Sequence, residues 1–80
     1  MYTVYVLYSE KYQKIYIGYT SDMEQRLLAH NKLETKGYTI RYRPWKVIHT
    51  EEFPEKSLAM KREKQLKGAK GREFIWNLVG

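Results

Sequence analysis

The chain has 80 residues, a formal net charge of +6 and no cysteine. This length predicts one domain, residues 1–80, near the lower size limit for a self-sufficient hydrophobic core. The absence of cysteine excludes disulfides and a thiolate zinc site, so packing alone must hold the fold. The basic charge favours a polyanionic partner, although a merely soluble basic protein would carry the same charge.

The sequence gives no sign of a membrane segment. No apolar run approaches the ~20 residues that span a bilayer. The first residues lack the charged and apolar regions of a signal peptide. We therefore expect a cytoplasmic protein that does not contact a membrane.

Two β-strands are predicted at the start of the chain. Residues 2–8 alternate with period two but are apolar or aromatic on both faces, which indicates a central strand covered on both sides. A polar loop follows, and residues 15–20 return as an antiparallel partner, with Gly18 as a point of close approach. Whether Tyr5 and Tyr16 share a face depends on the strand register.

A capped helix is predicted after the second strand. Ser21 offers an N-cap hydroxyl, and the glutamate three residues later completes a capping box. Met23 and Leu27 form the apolar seam of this helix. At roughly 100° per residue, Arg26 and His30 lie at the edge of that seam and point toward the sheet. Charged and titratable side chains in this position indicate more than a surface helix.

The segment 32–43 has no clean periodicity and mixes cations with aromatic residues. Cations interleaved with aromatic rings can hold phosphates while the rings stack unpaired bases. An ordinary solvated loop is the alternative interpretation. The candidate nucleic-acid ligands of this segment are Lys36, Tyr38, Arg41, Tyr42 and Arg43.

The second half of the chain predicts a third strand and two helices. Pro44 precedes a strand over 45–53, a helix runs over 54–67 to the stop at Gly68, and an amphipathic helix covers 72–79. The fold class is therefore α+β, a small three-stranded antiparallel sheet flanked by helices in the order β-β-α-β-α-α. The residues expected to face the sheet are Ala59, Met60, Leu66, Phe74, Ile75, Leu78 and Val79.

Glu63 lies in the middle of the apolar stripe of the helix over 54–67. A carboxylate there is costly unless it is paired or bound to a cation. It is either one partner of a structural salt bridge, for example with Arg26, or a ligand of a cation. The basic residues around it form either a solvated face or a phosphate-holding one. The candidate nucleic-acid ligands among them are Lys61, Lys64, Lys67 and Lys70.

Taken together, these motifs resemble the GIY-YIG nuclease superfamily, and within it the small single-domain bacterial proteins of the UPF0213 type. The second half of the family signature is intact at Tyr16-Ile17-Gly18, whereas in Thr3-Val4-Tyr5 only the tyrosine matches the first half literally. Tyr16 follows Tyr5 by eleven residues, Arg26 follows ten later and His30 four after that. The resemblance extends over nearly the whole chain.

The resemblance implies a metal-dependent endonuclease that acts on DNA more readily than on RNA, single-stranded or branched DNA included. Glu63 matches the metal-binding glutamate of the family and would hold one divalent ion, Mg²⁺ or alternatively Mn²⁺. Arg26 would bind the same phosphate through its permanently charged fork. Asn77 lies close to the position of an active-site asparagine in the family.

The resemblance assigns the general base to Tyr16 and a positioning role for water or phosphate to Tyr5. His30 competes with Tyr16, since histidine titrates near ~6.5 and tyrosine near ~10. The two assignments stay open from the sequence. So does catalysis itself, because a non-catalytic nucleic-acid-binding module or a structural adaptor would use the same scaffold. A protein partner that supplies substrate specificity is a further expectation.

Overall fold

The computed structural model describes residues 1–33 and 37–80, in which a three-stranded antiparallel sheet carries helices on both faces. The central strand is β1 (Tyr2–Ser9), flanked by β2 (Lys14–Thr20) and β3 (Lys46–Phe53). The α+β class and the central position of the first strand are confirmed. The helical elements are α1 (Met23–Leu28), continued by a π-helical turn (Ala29–Leu33), α2 (Tyr38–Arg41), α3 (Lys56–Lys67) and α4 (Ala69–Val79).

Alternate residues of β1 build two separate cores, because successive side chains of a strand point to opposite faces of the sheet. The core on the α3–α4 face consists of Val4, Val6, Tyr8, Ile15, Ile17, Ala59, Leu66 and Ile75. The core on the α1–α2 face consists of Tyr5, Leu7 and Trp45, with Tyr16, Met23, Leu27 and Tyr42 packed against it. The predicted apolar seam of α1 is therefore confirmed.

The strand register answers the question about the two motif tyrosines. In the β1–β2 ladder Tyr5 lies opposite Gly18, and Leu7 lies opposite Tyr16. Residues two apart along β1 share a face, so Tyr5 and Tyr16 both lie on the α1–α2 face. On the other side of β1 the β1–β3 ladder shifts register between Val6 and Leu7, and this bulge places one extra residue in β3.

The N-cap of α1 is Asp22, and the prediction of a capping box on Ser21 is wrong. Asp22 Oδ1 accepts a hydrogen bond from the backbone N–H of Gln25 at 3.1 Å. Thr20 Oγ1 accepts one from the backbone N–H of Asp22, also at 3.1 Å. The helix starts at Met23, so the side-chain oxygen that reaches the third N–H of its first turn belongs to Asp22.

The last helix begins at Ala69 rather than at residue 72, and Gly68 alone separates it from α3. Gly71 lies in the first turn of α4, where the two helices come into main-chain contact. A Cβ at Gly71 would lie 2.4 Å from both the carbonyl oxygen of Gln65 and the Cα of Leu66. Only glycine allows this approach, so the predicted connection is instead a tight helix–helix junction.

Three residues expected to pack on the sheet are instead exposed: Met60, Phe74 and Leu78. Each lies next in sequence to a residue that does face the sheet, and is therefore rotated by about 100° around its helix. The packing faces are centred on Ala59 and Leu66 in α3 and on Ile75 in α4. None of the helices in the described ranges has the length and apolar character needed to cross a membrane.

Candidate active site

The Tyr5 hydroxyl lies at the centre of a buried polar cluster on the α1–α2 face. Tyr5 is 1% exposed, and its Oη lies 2.9 Å from His30 Nε2 and accepts a hydrogen bond from Arg26 Nε at 3.4 Å. Burial raises the pKa of Tyr5 and outweighs the opposing effect of Arg26. The hydroxyl therefore stays protonated at neutral pH and can donate to Nε2 of a neutral His30.

Gly18 makes the space that the Tyr5 ring occupies. A Cβ at Gly18 would lie 2.5 Å from Tyr5 Oη and 2.8 Å from Cζ, so any side chain there would displace the ring. The glycine of the YIG motif thus lets the Tyr5 ring lie across β2. This position directs the hydroxyl toward α1.

Arg26 and His30 reach the same hydroxyl from α1 and from the π-helical turn. Arg43 supports that turn, since its guanidinium donates to the carbonyl oxygen of Ala29 at 3.2 Å and to that of His30. These carbonyls lie at a helix end, where intrahelical partners run out. The structure therefore gives Arg43 a positioning role, while its role as a nucleic-acid ligand stays a prediction.

Trp45 is buried at the entry to β3 and connects this strand to both helical segments above it. Asn31 forms a two-point contact with its backbone, donating from Nδ2 to the carbonyl at 3.0 Å and accepting at Oδ1 from the N–H at 2.7 Å. The indole Nε1 donates to the carbonyl oxygen of Thr39 at 2.7 Å. Sequence reasoning missed Asn31 and Trp45, because these contacts join residues that carry no shared local motif.

Tyr16 is half-buried, and it is the motif tyrosine that opens onto the surface. Its ring centroid lies 4.8 Å from that of His30 and 6.3 Å from that of Tyr5. Tyr16 lines an open groove of about 430 Å³ together with Ile15, Ile17, Tyr38, Lys67 and Arg72. Two aromatic rings beside two cations suit a ligand that carries both phosphates and bases.

Arg72 is a groove residue that sequence reasoning did not select. In the sequence, Arg72 is only one of several closely spaced basic residues in the region of α3 and α4. Arg72 and Tyr38 line the same groove; burial raises the pKa of Tyr38, and the positive charge of Arg72 acts against that shift. A helical periodicity argument could not place Arg72 there, because the position depends on how α4 docks beside β2.

Glu63 approaches the cluster from α3. Its side chain is 21% exposed, and its Oε1 lies 3.5 Å from Lys67 Nζ one helical turn later, rather than being paired with Arg26. Burial raises the pKa of Tyr5 most, and the negative charge of Glu63 adds to this increase more weakly than Tyr16 does. The exposed Lys61 and Lys64 line a cleft of about 330 Å³ with Glu63.

A single carboxylate is the candidate metal ligand. Among residues 1–33 and 37–80 no group of three or more His, Asp or Glu side chains could hold a metal ion. Glu63 nevertheless fits Mg²⁺, because this ion usually keeps several waters and takes one or two carboxylates plus substrate phosphates. The Glu63 carboxylate is partly exposed to solvent, and its partner Lys67 is more than half exposed, so the ion pair can open when a metal ion binds.

Asn77 and Lys70 lie apart from this cluster. Asn77 is exposed and lines a shallow groove with Lys70, Glu73 and Phe74. Phe74 packs edge-on against His49 of β3, at the sheet edge opposite to the YIG strand. Because α4 packs through Ile75, a residue two positions later points outward. The structure does not bring Asn77 to the other predicted catalytic residues.

Three of the predicted ligands of segment 32–43, Tyr38, Arg41 and Tyr42, lie together at α2, where Tyr38 and Arg41 are exposed and Tyr42 is half-buried. The rings of Tyr38 and Tyr42 lie 4.9 Å apart, and the Arg41 guanidinium lies 5.9 Å from the Tyr42 ring. Lys36 lies outside the described residues.

Comparison with known proteins agrees with this geometry. Residues 1–76 match the GIY-YIG catalytic domain. UPF0213 proteins are similar to this chain: one from Natronomonas pharaonis is 42% identical over 80% of this chain and 74% of its own length. One from Bacillus velezensis is 39% identical over 76% of this chain and 65% of its own length. The chain spans less than two thirds of the length of several such relatives.

A solved structure gives the same result. The solution NMR structure of a UPF0213 protein from Bacillus halodurans matches with a TM-score of 0.56 and 29% identity, covering 100% of this chain and 87% of that one. The match extends over every element described above. The chain belongs to the GIY-YIG nuclease superfamily, and within it to the UPF0213-type proteins.

Proposed function

We propose that this protein is an endonuclease that hydrolyses phosphodiester bonds of DNA with the help of one divalent ion. Family membership gives nucleic acid as the substrate class and a divalent ion as the usual cofactor. The observation that carries the proposal is the convergence of Arg26 and His30 on the Tyr5 hydroxyl, directly beside the surface tyrosine Tyr16. A purely structural aromatic cluster would not need this set of polar partners.

Arg26 would stabilise the negative charge that develops on the phosphoryl oxygens. Its Nε is directed to Tyr5 Oη, which fixes the plane of the guanidinium. A planar, permanently charged fork held in one orientation can bind two phosphate oxygens at once. Preorganised charge of this kind is commonly the largest single contribution to catalysis.

The geometry favours Tyr16 over His30 as the general base. His30 is 1% exposed and its Nε2 contacts Tyr5 Oη, so it has no path to an attacking water. Tyr16 lines the open groove together with Lys67 and Arg72, where an attacking water could reach its hydroxyl. We assign His30 and Tyr5 to positioning, because their contact orients Arg26 and the neighbouring Tyr16 ring.

Glu63 would hold the divalent ion, Mg²⁺ by the preference of a hard cation for carboxylate oxygen. The ion would supply positive charge at the scissile phosphate and would acidify a bound water. Lys61, Lys64 and Lys67 lie around Glu63 and would hold the flanking phosphates of the strand.

A non-catalytic DNA-binding module on the same scaffold is the second candidate. The ion pair between Glu63 and Lys67 favours it, because it neutralises the carboxylate without any metal. In such a module the basic and aromatic groove would bind the strand and no bond would be cleaved.

The test compares wild type with Glu63→Gln on labelled duplex, single-stranded and branched DNA and on RNA, at low salt with Mg²⁺, Mn²⁺ or EDTA. We expect cleavage by wild type alone, abolished by EDTA, with similar DNA affinity for both proteins. Binding without cleavage by wild type on every substrate would favour the binding module. Wild-type turnover in Glu63→Gln would overturn the assignment of the metal ligand.

A further inference from the structure

Four tyrosine rings run in contact from the candidate active site to the β1–β2 loop. Tyr16 and Tyr38 stack with centroids 6.3 Å apart, Tyr38 and Tyr42 are 4.9 Å apart, and Tyr42 and Tyr12 meet edge-on at 5.4 Å. We call these four residues the tyrosine track. Its members come from β2, from α2 and its C-cap, and from the loop at residues 10–13.

Cations lie beside Tyr42 and Tyr12, the two residues of the tyrosine track that lie farthest along it from Tyr16. Lys11 Nζ lies 5.4 Å from the Tyr12 ring, and Lys14 Nζ lies 5.5 Å from the Tyr42 ring. Arg41 adds a third positive group beside Tyr42. One cation therefore lies beside Tyr12 and two lie beside Tyr42, so positive charge accompanies the rings as phosphates accompany the bases of a single strand.

Two rings of the tyrosine track are accessible to a ligand. Tyr12 is 41% exposed and Tyr38 is 45% exposed. An aromatic cluster that served only to hold α2 on the sheet would bury these rings, as the other face of the sheet does with Tyr8. Exposed ring faces beside cations are the feature on which unpaired bases stack.

We propose that the tyrosine track binds an unpaired stretch of the DNA strand whose phosphodiester bond is cleaved beside Tyr16, with bases stacked on the exposed rings of Tyr38 and Tyr12. This inference rests on the proposed function and adds the substrate class. Bases within a duplex already stack on one another and cannot offer their faces to protein rings. The tyrosine track would therefore select single-stranded DNA or unpaired flaps over continuous duplex.

The test measures binding in the Glu63→Gln background with EDTA, so that no turnover interferes. Tyr12→Leu is compared with Phe74→Leu, since Phe74 is 40% exposed but lies on α4 at the β3 edge. Both changes remove one aromatic ring and leave the net charge unaltered. Fluorescence anisotropy gives the affinity of each variant for a single-stranded oligonucleotide and for a duplex of the same length, and thermal melting verifies the fold.

We expect Tyr12→Leu to weaken single-strand binding at least fivefold, from the lower end of the stacking range for one base. Duplex binding should change less than twofold, Phe74→Leu should leave both unchanged, and Tyr12→Phe should retain affinity. Equal single-strand affinity in Tyr12→Leu and Phe74→Leu, or an equal loss on duplex, would overturn the tyrosine track.

Cleavage by wild type with Mg²⁺ is measured on the same oligonucleotides. Tyr12-dependent binding without cleavage would contradict the nuclease proposal and leave the tyrosine track as a binding surface. Cleavage without Tyr12-dependent binding would contradict the tyrosine track alone.

Discussion

The two faces of the sheet are built from alternate residues of the same strand, and they differ in what covers them. On the α3–α4 face two regular helices of 12 and 11 residues cover a core whose buried residues are all aliphatic except Tyr8. On the α1–α2 face a six-residue helix, a π-helical turn and a four-residue helix cover aromatic and polar groups. Helices this short are marginal alone and are held by side-chain contacts.

Within 80 residues, the sheet thus separates a supporting core on the α3–α4 face from the candidate active site on the α1–α2 face. The α3–α4 face stabilises the sheet by burial of aliphatic side chains. It is closed at the β3 edge by Arg62, whose guanidinium donates to both carboxylate oxygens of Glu51 at 2.9 and 3.1 Å. The interior of the α1–α2 face instead contains a hydrogen-bonded tyrosine, a histidine and an arginine. Glu63 belongs to the supporting helix α3, and its negative charge contributes to the raised pKa of Tyr5 on the other face.

The largest effect is expected at the polar face, for Arg26→Lys. This change keeps the charge but removes the planar fork, so single-turnover cleavage should slow roughly 100-fold, which corresponds to about 2.7 kcal/mol of transition-state stabilisation. DNA affinity should hardly change. A near-normal rate would limit Arg26 to a structural contact with Tyr5.

The aliphatic face is tested by Gly71→Ala. A Cβ there would meet main-chain atoms of α3 at 2.4 Å, so the two helices must separate and the free energy of unfolding should fall by about 2 kcal/mol. Urea denaturation measures this loss. Cleavage per folded molecule should fall much less than in Arg26→Lys, because only the groove residue Arg72 lies beside this junction. A loss of turnover without a loss of stability would contradict the division between the faces.

Tyr5→Phe tests the central hydroxyl. Removing the group that joins Arg26 to His30 should lower kcat about tenfold with little change in KM, since it affects orientation rather than substrate contact. The matched control is Tyr8→Phe, which changes a buried tyrosine of the opposite face and should cleave normally. Equal rates for the two variants would contradict the positioning role of Tyr5.

The smallest effect is expected at Glu51. Burial favours its neutral form, but the hydrogen bonds from Arg62 and His49 outweigh this and lower its pKa below the ordinary value of 4.5. The folded state therefore favours the carboxylate, and Glu51→Gln should lose about 1 kcal/mol of stability at pH 7. The difference from wild type should shrink as the pH falls below 4.5 and vanish once the folded carboxyl is protonated. A pH-independent difference would contradict this contribution.

The sequence predicted what depends on local patterns. Period-two alternation assigned the faces of β1 correctly, and the spacing from Tyr5 to His30 predicted the residues that the structure brings together at the Tyr5 hydroxyl. The strand faces follow from strand geometry, which is regular along the chain, whereas the association of Tyr5 with Arg26 and His30 was implied by the family resemblance.

Contacts between distant segments could not be predicted in this way. The pairing of Asn31 with Trp45 and the contact of Arg43 with the π-helical turn join residues 12 or more positions apart. The position of Arg72 beside Tyr38 in the groove depends on the helix junction at Gly71, whereas the sequence predicted that the last helix begins at residue 72. The predicted N-cap of α1 was wrong because Asp22, the residue after Ser21, is an equally good N-cap.

The most direct measurement compares two glutamates that differ in role but not in burial. Glu63 and Glu51 are 21% and 25% exposed, and each is paired with a cation. Glu63→Gln should lower Mg²⁺-dependent DNA cleavage by roughly 100-fold or more and leave the melting temperature unchanged. Glu51→Gln should lower the melting temperature and leave cleavage unchanged below it. Wild-type cleavage by Glu63→Gln, or an equal loss in both variants, would contradict the account.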